Sequence, residues 1–197
     1  MLDSVFQNKY FIWYSPNYYF DMNIGDKLSN FKLQATNGEL YSNFAFADKY
    51  ALCVIFASNS CTYSKAYWNR IIKLADQYEE DNMALVVVNS NDELQDNNES
   101  LDAMKAVLKK LKAERMVYLK DADQSLAKKF AATKTPEVFL FNSKRELVYK
   151  GIIDDQWENE SQVMMAYLED AIEYCLDGID IDYPELPPQG CDILWKK

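Results

Sequence analysis

The chain has 197 residues, of which 14% are aromatic, and it carries a formal net charge of −10 with a sequence pI of about 4.6. This length allows one domain with a sizeable core plus an extension, and the acidic balance argues against binding to nucleic acid or to anionic membranes. Because the chain contains no histidine, serine–histidine–aspartate triads and histidine-bearing zinc sites are excluded.

Residues 1–23 are read as an aromatic N-terminal extension with a single Ser15-Pro16 break. Its aromatic side chains are Phe6, Tyr10, Phe11, Trp13, Tyr14, Tyr18, Tyr19 and Phe20. Two interpretations stay open for this segment. It is either a lid that covers apolar surface of the body, or a contact in a homodimer or with another partner, since aromatic side chains are enriched at interfaces.

From residue 24 onward, the pattern predicts alternating strands and helices. Apolar β-branched runs predict strands, and apolar residues spaced three and four apart predict helices. The predicted elements are a small hairpin around Asn37-Gly38, strands at 50–57, 83–89, 116–119, 137–142 and 146–152, and helices at 62–80, 101–111, 125–130 and 163–175. Residues 90–100 are rich in Asn, Asp and Glu and are predicted to be an exposed loop.

This order predicts an α/β domain over residues 24–178, with a central mixed β-sheet flanked by helices on both faces. The continuous apolar strand at 83–89 is predicted to be parallel and central, and the last two strands add an antiparallel edge. Gly178 ends the final helix, and the proline-containing tail, residues 179–197, is predicted to be extended and to pack on the domain. No apolar stretch approaches the ~18 residues expected of a membrane span.

Cys61 follows the first long apolar strand and a small polar turn, and a helix begins directly after it. A thiol in this position lies beside unpaired backbone N–H groups and the positive end of the helix dipole, which both favour the thiolate. Lys65 adds a cation one turn on, and Arg70 is a weaker candidate for the same role. The competing interpretation is that Cys61 is a small buried hydrophobe, as Cys53 and Cys175 are expected to be.

Several separate motifs resemble those of one family. The stretch Ser58-Asn59-Ser60-Cys61-Thr62-Tyr63-Ser64-Lys65-Ala66 is similar to the turn Cys-Asn-x-Cys-x-Tyr-x-Lys-Ala of a subgroup of thioredoxin-like redoxins. The same subgroup is matched by Asn89-Ser90-Asn91-Asp92, Thr135-Pro136-Glu137 and Gly190-Cys191-Asp192-Ile193-Leu194-Trp195-Lys196. Over residues 24–197 the chain therefore resembles the thioredoxin-like superfamily. Its opening segment, Gly-Asp-Lys-Leu-Ser-Asn-Phe-Lys-Leu at residues 25–33 followed by Asn-Gly-Glu-Leu at residues 37–40, is similar to the entry of the peroxiredoxin-like branch. That branch includes the alkyl hydroperoxide reductase/thiol-specific antioxidant proteins. The resemblance implies a thioredoxin-like fold.

The departure from the family pattern is Ser58, which stands where the first cysteine of the two-cysteine turn is found. A hydroxyl cannot form a disulfide, so Ser58 and Cys61 cannot cycle as a local dithiol. Peroxiredoxins carry a threonine at that position, and this chain matches their arrangement only in part because the preceding proline is missing. In the peroxidase reading, Cys61 is the reactive sulfur, Ser58 donates a hydrogen bond to the thiolate or peroxide, and Lys65 stabilises developing charge.

The resemblance also suggests which residues meet the substrate. Thr135-Pro136 resembles the cis-proline loop that faces the cysteine and holds an extended substrate backbone, and Asn59 and Tyr63 are further candidates for contacting a substrate or partner. Cys191, in the tail, is the candidate resolving thiol for an oxidised Cys61. The alternative is that Cys191 belongs to a tail that is simply anchored on the body.

These observations favour a thiol-based redox enzyme that acts through Cys61, as a peroxiredoxin-like peroxidase or a single-cysteine thiol–disulfide oxidoreductase. A peroxide or disulfide is the expected substrate and an external thiol the reductant. No cofactor or metal is expected, because the four cysteines lack paired short spacing and the five glycines form no phosphate loop. Scattered cysteines predict a reducing cytoplasm, and the family implies a role in antioxidant defence and cell redox homeostasis. The alternative is a catalytically degenerate thioredoxin-like module that binds a protein or peptide partner.

Overall fold

The structure is a computed structural model that describes residues 22–197, so the two interpretations of the aromatic extension fall almost wholly outside the described residues. The strands are β1 (Lys32–Ala35), β2 (Leu40–Ser42), β3 (Ala51–Phe56), β4 (Met83–Asn89), β5 (Val117–Lys120), β6 (Lys134–Thr135), β7 (Glu137–Phe141), β8 (Leu147–Gly151) and β9 (Cys191–Asp192). The helices are α1 (Thr62–Gln77), α2 (Leu101–Leu111), α3 (Ser125–Phe130) and α4 (Tyr167–Asp177). Within residues 22–197, no helix is long and apolar enough to cross a membrane.

The main sheet has seven strands in the order β2-β1-β5-β4-β3-β7-β8. Strand β4 runs parallel to both β3 and β5, whereas β7 runs antiparallel to β3 and β1 antiparallel to β5. Strand β3 is buried at every position, since it lies in the middle of the sheet with both faces covered. The predicted mixed sheet with a parallel centre and an antiparallel β7–β8 edge is confirmed.

Side chains of β3 alternate between two cores, as the two-residue period of a strand requires. Cys53 and Ile55 belong to the core that also contains residues of α1, α2 and α4. Val54 and Phe56 belong to the opposite core, which contains residues of α3 and of the segment before β1. Helices therefore cover both faces of the sheet, as predicted.

Helix α4 begins at Tyr167, later than the predicted residue 163, because the chain before it is bound to another loop. The Asp155 carboxylate accepts a hydrogen bond from the backbone N–H of Met164 at 3.0 Å, and the Asp155 N–H donates to the carbonyl of Met165 at 3.2 Å. The second of these bonds uses the carbonyl of Met165, which a helix beginning at residue 163 would need as an acceptor. The helix ends as predicted, where Gly178 adopts a φ of 70°.

The loop at residues 90–100 was predicted to be exposed, which is correct for residues 93–95 and 97–98 but wrong for residues 90–92 and for Glu99. Glu99 is 0% exposed, and Asn91 and Asp92 are also buried. Their polar groups are hydrogen-bonded to the turn before Cys61 and to the C-terminal tail, as described below. Pairing of this kind is what allows polar side chains to be buried at acceptable free-energy cost.

The C-terminal tail lies along the domain. The backbone of Lys150 in β8 donates to the carbonyl of Pro184 at 2.9 Å and accepts from the N–H of Leu186 at 3.0 Å. Gly151 has a φ of 142°, and a Cβ there would lie 2.6 Å from the carbonyl oxygen of Leu186. The tail therefore passes so close to the edge of β8 that no side chain fits beneath it.

Candidate active site

Cys61 lies at the N-cap of α1, between the helix and the loop that precedes β7. Its Sγ accepts a hydrogen bond from the backbone N–H of Ser64 at 3.5 Å and lies 2.9 Å from the carbonyl oxygen of Thr135. The residue is only 3% exposed. The backbone N–H and the helix terminus both favour negative charge on the sulfur, whereas the carbonyl oxygen of Thr135 opposes it.

A disulfide joins Cys61 to Cys191, whose Cα atoms are 5.8 Å apart although the residues are separated by 130 positions in the sequence. Strand β9 pairs antiparallel with β6, which places Cys191 directly opposite Thr135. The Thr135–Pro136 peptide bond is cis. This loop faces Cys61, as the family resemblance implied, and its backbone also positions Cys191.

Gly190 lets the tail approach this loop closely. A Cβ at residue 190 would collide with the carbonyl oxygen of Thr135 and lie 2.6 Å from its carbonyl carbon. Next to the disulfide, the ammonium group of Lys134 forms an ion pair with the carboxylate of Asp192 at 2.5 Å. Because a side chain at residue 190 would collide with the Thr135 carbonyl, only glycine fits at the position before Cys191.

Beyond the disulfide, the tail is anchored by its backbone and one apolar side chain. Ile193 is 3% exposed in the core beside α3, and its N–H donates to the carbonyl of Thr133 at 3.1 Å. Leu194 donates to the side-chain oxygen of Asn91 at 2.9 Å, and its carbonyl accepts from Gln124 Nε2 at 2.9 Å. Cys191 is thus held on both sides in a fixed position.

A buried carboxylate holds the turn before Cys61. One oxygen of Glu99 accepts hydrogen bonds from the Ser58 hydroxyl at 2.6 Å and the Ser60 N–H at 3.0 Å. The other accepts from the Asn59 N–H at 3.1 Å and from Asn89 Nδ2 at 2.6 Å. Donors surround the carboxylate, which is the arrangement that an acceptor-only group requires.

Two further charged groups support the loop that carries Glu99. Lys120 donates from Nζ to the backbone carbonyls of Asn91 at 2.6 Å and Glu99 at 2.8 Å, and burial lowers the pKa of this lysine. The Asp96 carboxylate accepts from the Ser60 hydroxyl at 2.5 Å, and this hydrogen bond is the main reason that the pKa of Asp96 is lowered. The loop is therefore tied to the active-site turn at several points.

Ser58 and Asn59 are buried parts of this network. The hydroxyl of Ser58 accepts from the backbone N–H of Cys61 at 3.0 Å and gives its hydrogen to Glu99, so that hydrogen is not directed at the Cys61 sulfur. Asn59 donates to the carbonyl of Asn98 at 2.7 Å and accepts from the Tyr118 hydroxyl at 3.0 Å. Both side chains hold the turn in place.

The two candidate cations, Lys65 and Arg70, interact with carboxylates and carbonyl groups rather than with the sulfur of Cys61. Lys65 is exposed on α1, where its charge contributes to lowering the pKa of Asp96. Arg70 is buried and forms an ion pair with Asp154 at 2.6 Å, and it also donates to the backbone carbonyls of Gln156 and Trp157 at 2.8 and 3.1 Å. The guanidinium of Arg70 therefore fixes the loop after β8.

Tyr63, the remaining candidate, lies half-buried in the first turn of α1. Its ring packs against that of Trp157, with centroids 4.2 Å apart. Among the described residues, no group of three or more Cys, Asp or Glu side chains is arranged to hold a metal ion.

Comparison with known proteins places this site in a family. The family model described as Redoxin matches residues 23–168. The chain belongs to the Redoxin family. No curated protein matches the chain. This family assignment confirms the resemblance drawn from the motifs.

Solved structures show the same fold. A hypothetical protein from Sinorhizobium meliloti 1021 shares 34% identity with this redoxin over 89% of this chain and 96% of its own, with a TM-score of 0.83. An uncharacterized conserved protein from Geobacillus kaustophilus shares 27% identity over 90% and 94%, also with a TM-score of 0.83. The thioredoxin domain of a thiol-disulfide oxidoreductase from Bacteroides vulgatus shares 13% identity over 72% and 97%, with a TM-score of 0.58, which shows the fold alone. The thioredoxin-like fold is thereby confirmed.

The other two cysteines of this redoxin lie in the core. Cys53 is 0% exposed in β3, and Cys175 is 5% exposed in α4. Burial raises the pKa of both thiols, that of Cys175 to about 11. A thiol that stays protonated near neutral pH is a poor nucleophile, so these two sulfurs are inert beside the disulfide.

Sequence reasoning missed the residues that hold the site from the far side. Glu99 gives no local signal, because it stands in a polar stretch that resembles an exposed loop. Asn89 and Asn91 were recognised as part of a family motif, but the motif does not say that they bind Glu99 and the tail. Gly190 could have been singled out only by knowing which backbone it approaches.

Proposed function

We propose that this redoxin is a thiol–disulfide oxidoreductase whose redox couple is Cys61 and Cys191. The observation that carries the proposal is the disulfide between them, at a helix N-terminus and opposite the cis Thr135–Pro136 bond. Because Ser58 cannot form a disulfide, the second sulfur of the couple has to come from another part of the chain. The tail brings Cys191 to that place.

In the cycle, two protein thiols become one disulfide and pass two electrons to a substrate disulfide, which becomes two thiols. The two protons released by Cys61 and Cys191 balance those taken up by the product thiols. The reverse cycle oxidises a substrate dithiol. An external thiol regenerates the reduced protein when it acts as a reductase, and no cofactor is needed for any step.

Peroxide reduction has less support from the contacts of the sulfur. A peroxidatic thiolate must meet the peroxide and stabilise the charge that develops on the leaving oxygen. Cys61 is 3% exposed, the Ser58 hydroxyl donates to Glu99, and the guanidinium of Arg70 is bound to Asp154. In the oxidised structure, the side chains of Ser58 and Arg70 therefore position other protein groups and do not face the sulfur of Cys61.

The binding-module alternative rested on the loss of the first active-site cysteine. Pairing of Cys61 with Cys191 supports a redox role in spite of that loss. We place the protein in the cytoplasm, where disulfides in most organisms are transient and catalytic or redox-sensing, and a disulfide that forms and breaks during turnover fits that compartment.

The test is equilibration of the full chain in glutathione buffers of graded potential, with the Cys61–Cys191 state read by thiol alkylation and mass spectrometry. We expect a single two-electron transition, together with catalysed reduction of insulin disulfides by dithiothreitol. The variants Cys61→Ser and Cys191→Ser should lose the transition, whereas a variant with both Cys53→Ser and Cys175→Ser should keep it if folded. Consumption of hydrogen peroxide without insulin reduction would favour the peroxidase, and neither activity would favour the binding module.

A further inference from the structure

The two sulfurs of the disulfide differ in how easily another molecule can reach them. Cys61 is 3% exposed at the base of α1, whereas Cys191 is partly exposed on the two-residue strand β9 and is followed by the exposed Asp192. Resting on the proposed function, we propose that Cys191 is the sulfur that exchanges with outside thiols and disulfides. Cys61 is then the internal thiol. This reverses the roles that the family resemblance suggested.

The direction of attack on a disulfide supports this assignment. A thiolate displaces one sulfur from the other along the line of the S–S bond, so it must approach the attacked sulfur from the side opposite its partner. Around Cys61, the carbonyl oxygen of Thr135 lies 2.9 Å from Sγ, and the first turn of α1 supplies the N–H of Ser64 at 3.5 Å. At 3% exposure, Cys61 offers an incoming thiolate almost no accessible surface, whereas Cys191 is partly exposed.

The leaving group gives a second and independent reason. Thiol–disulfide exchange is faster when the displaced thiol has a lower pKa. Attack on Cys191 releases Cys61 as a thiolate beside the positive end of α1 and the Ser64 N–H. Attack on Cys61 would release Cys191, and among the described residues the backbone N–H of Ser64 donates to the sulfur of Cys61 rather than to that of Cys191. The exposure of the two sulfurs and the pKa of the displaced thiol therefore both favour attack on Cys191.

The steps balance as follows when the protein acts as a reductase. The Cys191 thiolate attacks a substrate disulfide, which forms a mixed disulfide on Cys191 and releases the first substrate thiolate. The Cys61 thiolate then attacks the Sγ of Cys191, which closes the protein disulfide and releases the second substrate thiolate. In the opposite direction, an external thiolate attacks Cys191 and Cys61 departs. Position 58 then needs no sulfur, because Cys191 performs the exchange expected of the first cysteine in the two-cysteine turn.

The test compares the variants Cys61→Ser and Cys191→Ser, each of which keeps one sulfur of the couple and both core cysteines. Each full-length variant is reacted in the folded state with 5,5′-dithiobis(2-nitrobenzoate), and circular dichroism confirms that the two are equally folded. Cys61→Ser, which retains Cys191, should form the mixed disulfide at least about tenfold faster. Equal rates, or faster reaction of Cys191→Ser, would overturn the assignment.

A second measurement uses the unaltered protein, so that it does not depend on the folding of a variant. The oxidised chain is exposed briefly to glutathione, quenched with acid, alkylated and digested, and the glutathione adduct is located by mass spectrometry. An adduct on Cys191 supports the inference. An adduct on Cys61 overturns it while leaving the proposed redox couple intact. A chain that forms no disulfide and no adduct would refute the couple itself, and the inference with it.

Discussion

Replacement of Glu99 by glutamine should loosen the turn before Cys61 at a cost that can be worked out from the contacts. The side chains are nearly isosteric, but glutamine exchanges one acceptor oxygen for an NH2 donor. If that group takes the place of Oε2, it faces the Asn59 N–H and Asn89 Nδ2. If it takes the place of Oε1, it faces the Ser58 hydroxyl and the Ser60 N–H. The first orientation leaves the Asn59 N–H and one N–H of Asn89 without an acceptor. The second leaves only the Ser58 hydroxyl hydrogen without one, because the Ser60 N–H also donates to the Ser58 oxygen at 3.1 Å.

Each buried donor left unsatisfied costs about 1–3 kcal/mol, so Glu99→Gln, in the orientation that leaves one such donor, should lower the free energy of unfolding by about 1–3 kcal/mol. Urea unfolding followed by circular dichroism at constant pH measures this change. The matched control is Glu114→Gln, at an exposed position, where the expected change is within about 0.5 kcal/mol. A loss below about 1 kcal/mol for Glu99→Gln would refute the reasoning, because it would mean that the carboxylate does not hold the turn.

Three further predictions concern the tail and the core thiols. Reduction of the disulfide should lower the free energy of unfolding by about 2–5 kcal/mol, because the bond closes a loop of 130 residues. The urea midpoint of Cys191→Ser should not change with reductant. Equal midpoints of the wild type with and without reductant would contradict this prediction. Gly190→Ala should disfavour the disulfide by about 1–3 kcal/mol, which raises the midpoint potential of the Cys61–Cys191 couple by about 20–65 mV, whereas the exposed control Gln189→Ala should leave it unchanged. Burial raises the pKa of Cys175 to about 11, above its ordinary value of 9.0, so the stability that it contributes is complete below pH 9 and is lost as the pH rises through 11. Unfolding midpoints between pH 8 and 11 should therefore fall more steeply for the wild type than for Cys175→Ala, and parallel slopes would argue against the shift.

The fold was predictable because its signals are local. The apolar runs of β3 and β4 and the spacing of apolar residues in α1 and α2 depend only on neighbours in the sequence. The turn at Asn37-Gly38 and the helix end at Gly178 are set by backbone conformations that glycine adopts readily. Each of these features could be placed without knowing what lay across the sheet.

The residues that hold the active-site turn could not be predicted, because they are distant in the sequence from the groups that they contact. Glu99 lies about 40 residues from the turn that it holds, and the polar composition around it is typical of a solvated loop. Whether a carboxylate is buried and paired depends on which donors the fold brings to it. Cys191 was recognised as a candidate partner of Cys61, but spacing cannot distinguish a bonded cysteine from one in a tail that is only anchored.

The serine at position 58 and the cysteine in the tail are explained by the same geometry. A hydroxyl can donate to Glu99 at 2.6 Å and accept from the N–H of Cys61 at 3.0 Å, whereas a thiol is a weak donor and a weak acceptor. Serine therefore strengthens the turn that presents Cys61, at the cost of the local second sulfur. The tail supplies that sulfur from the opposite side, and the packing of Gly190 and Ile193 holds it against the cis-proline loop. Because these contacts position Cys191 in addition to the S–S bond, a cysteine that is distant in the sequence can serve as the partner of Cys61 where position 58 holds a serine.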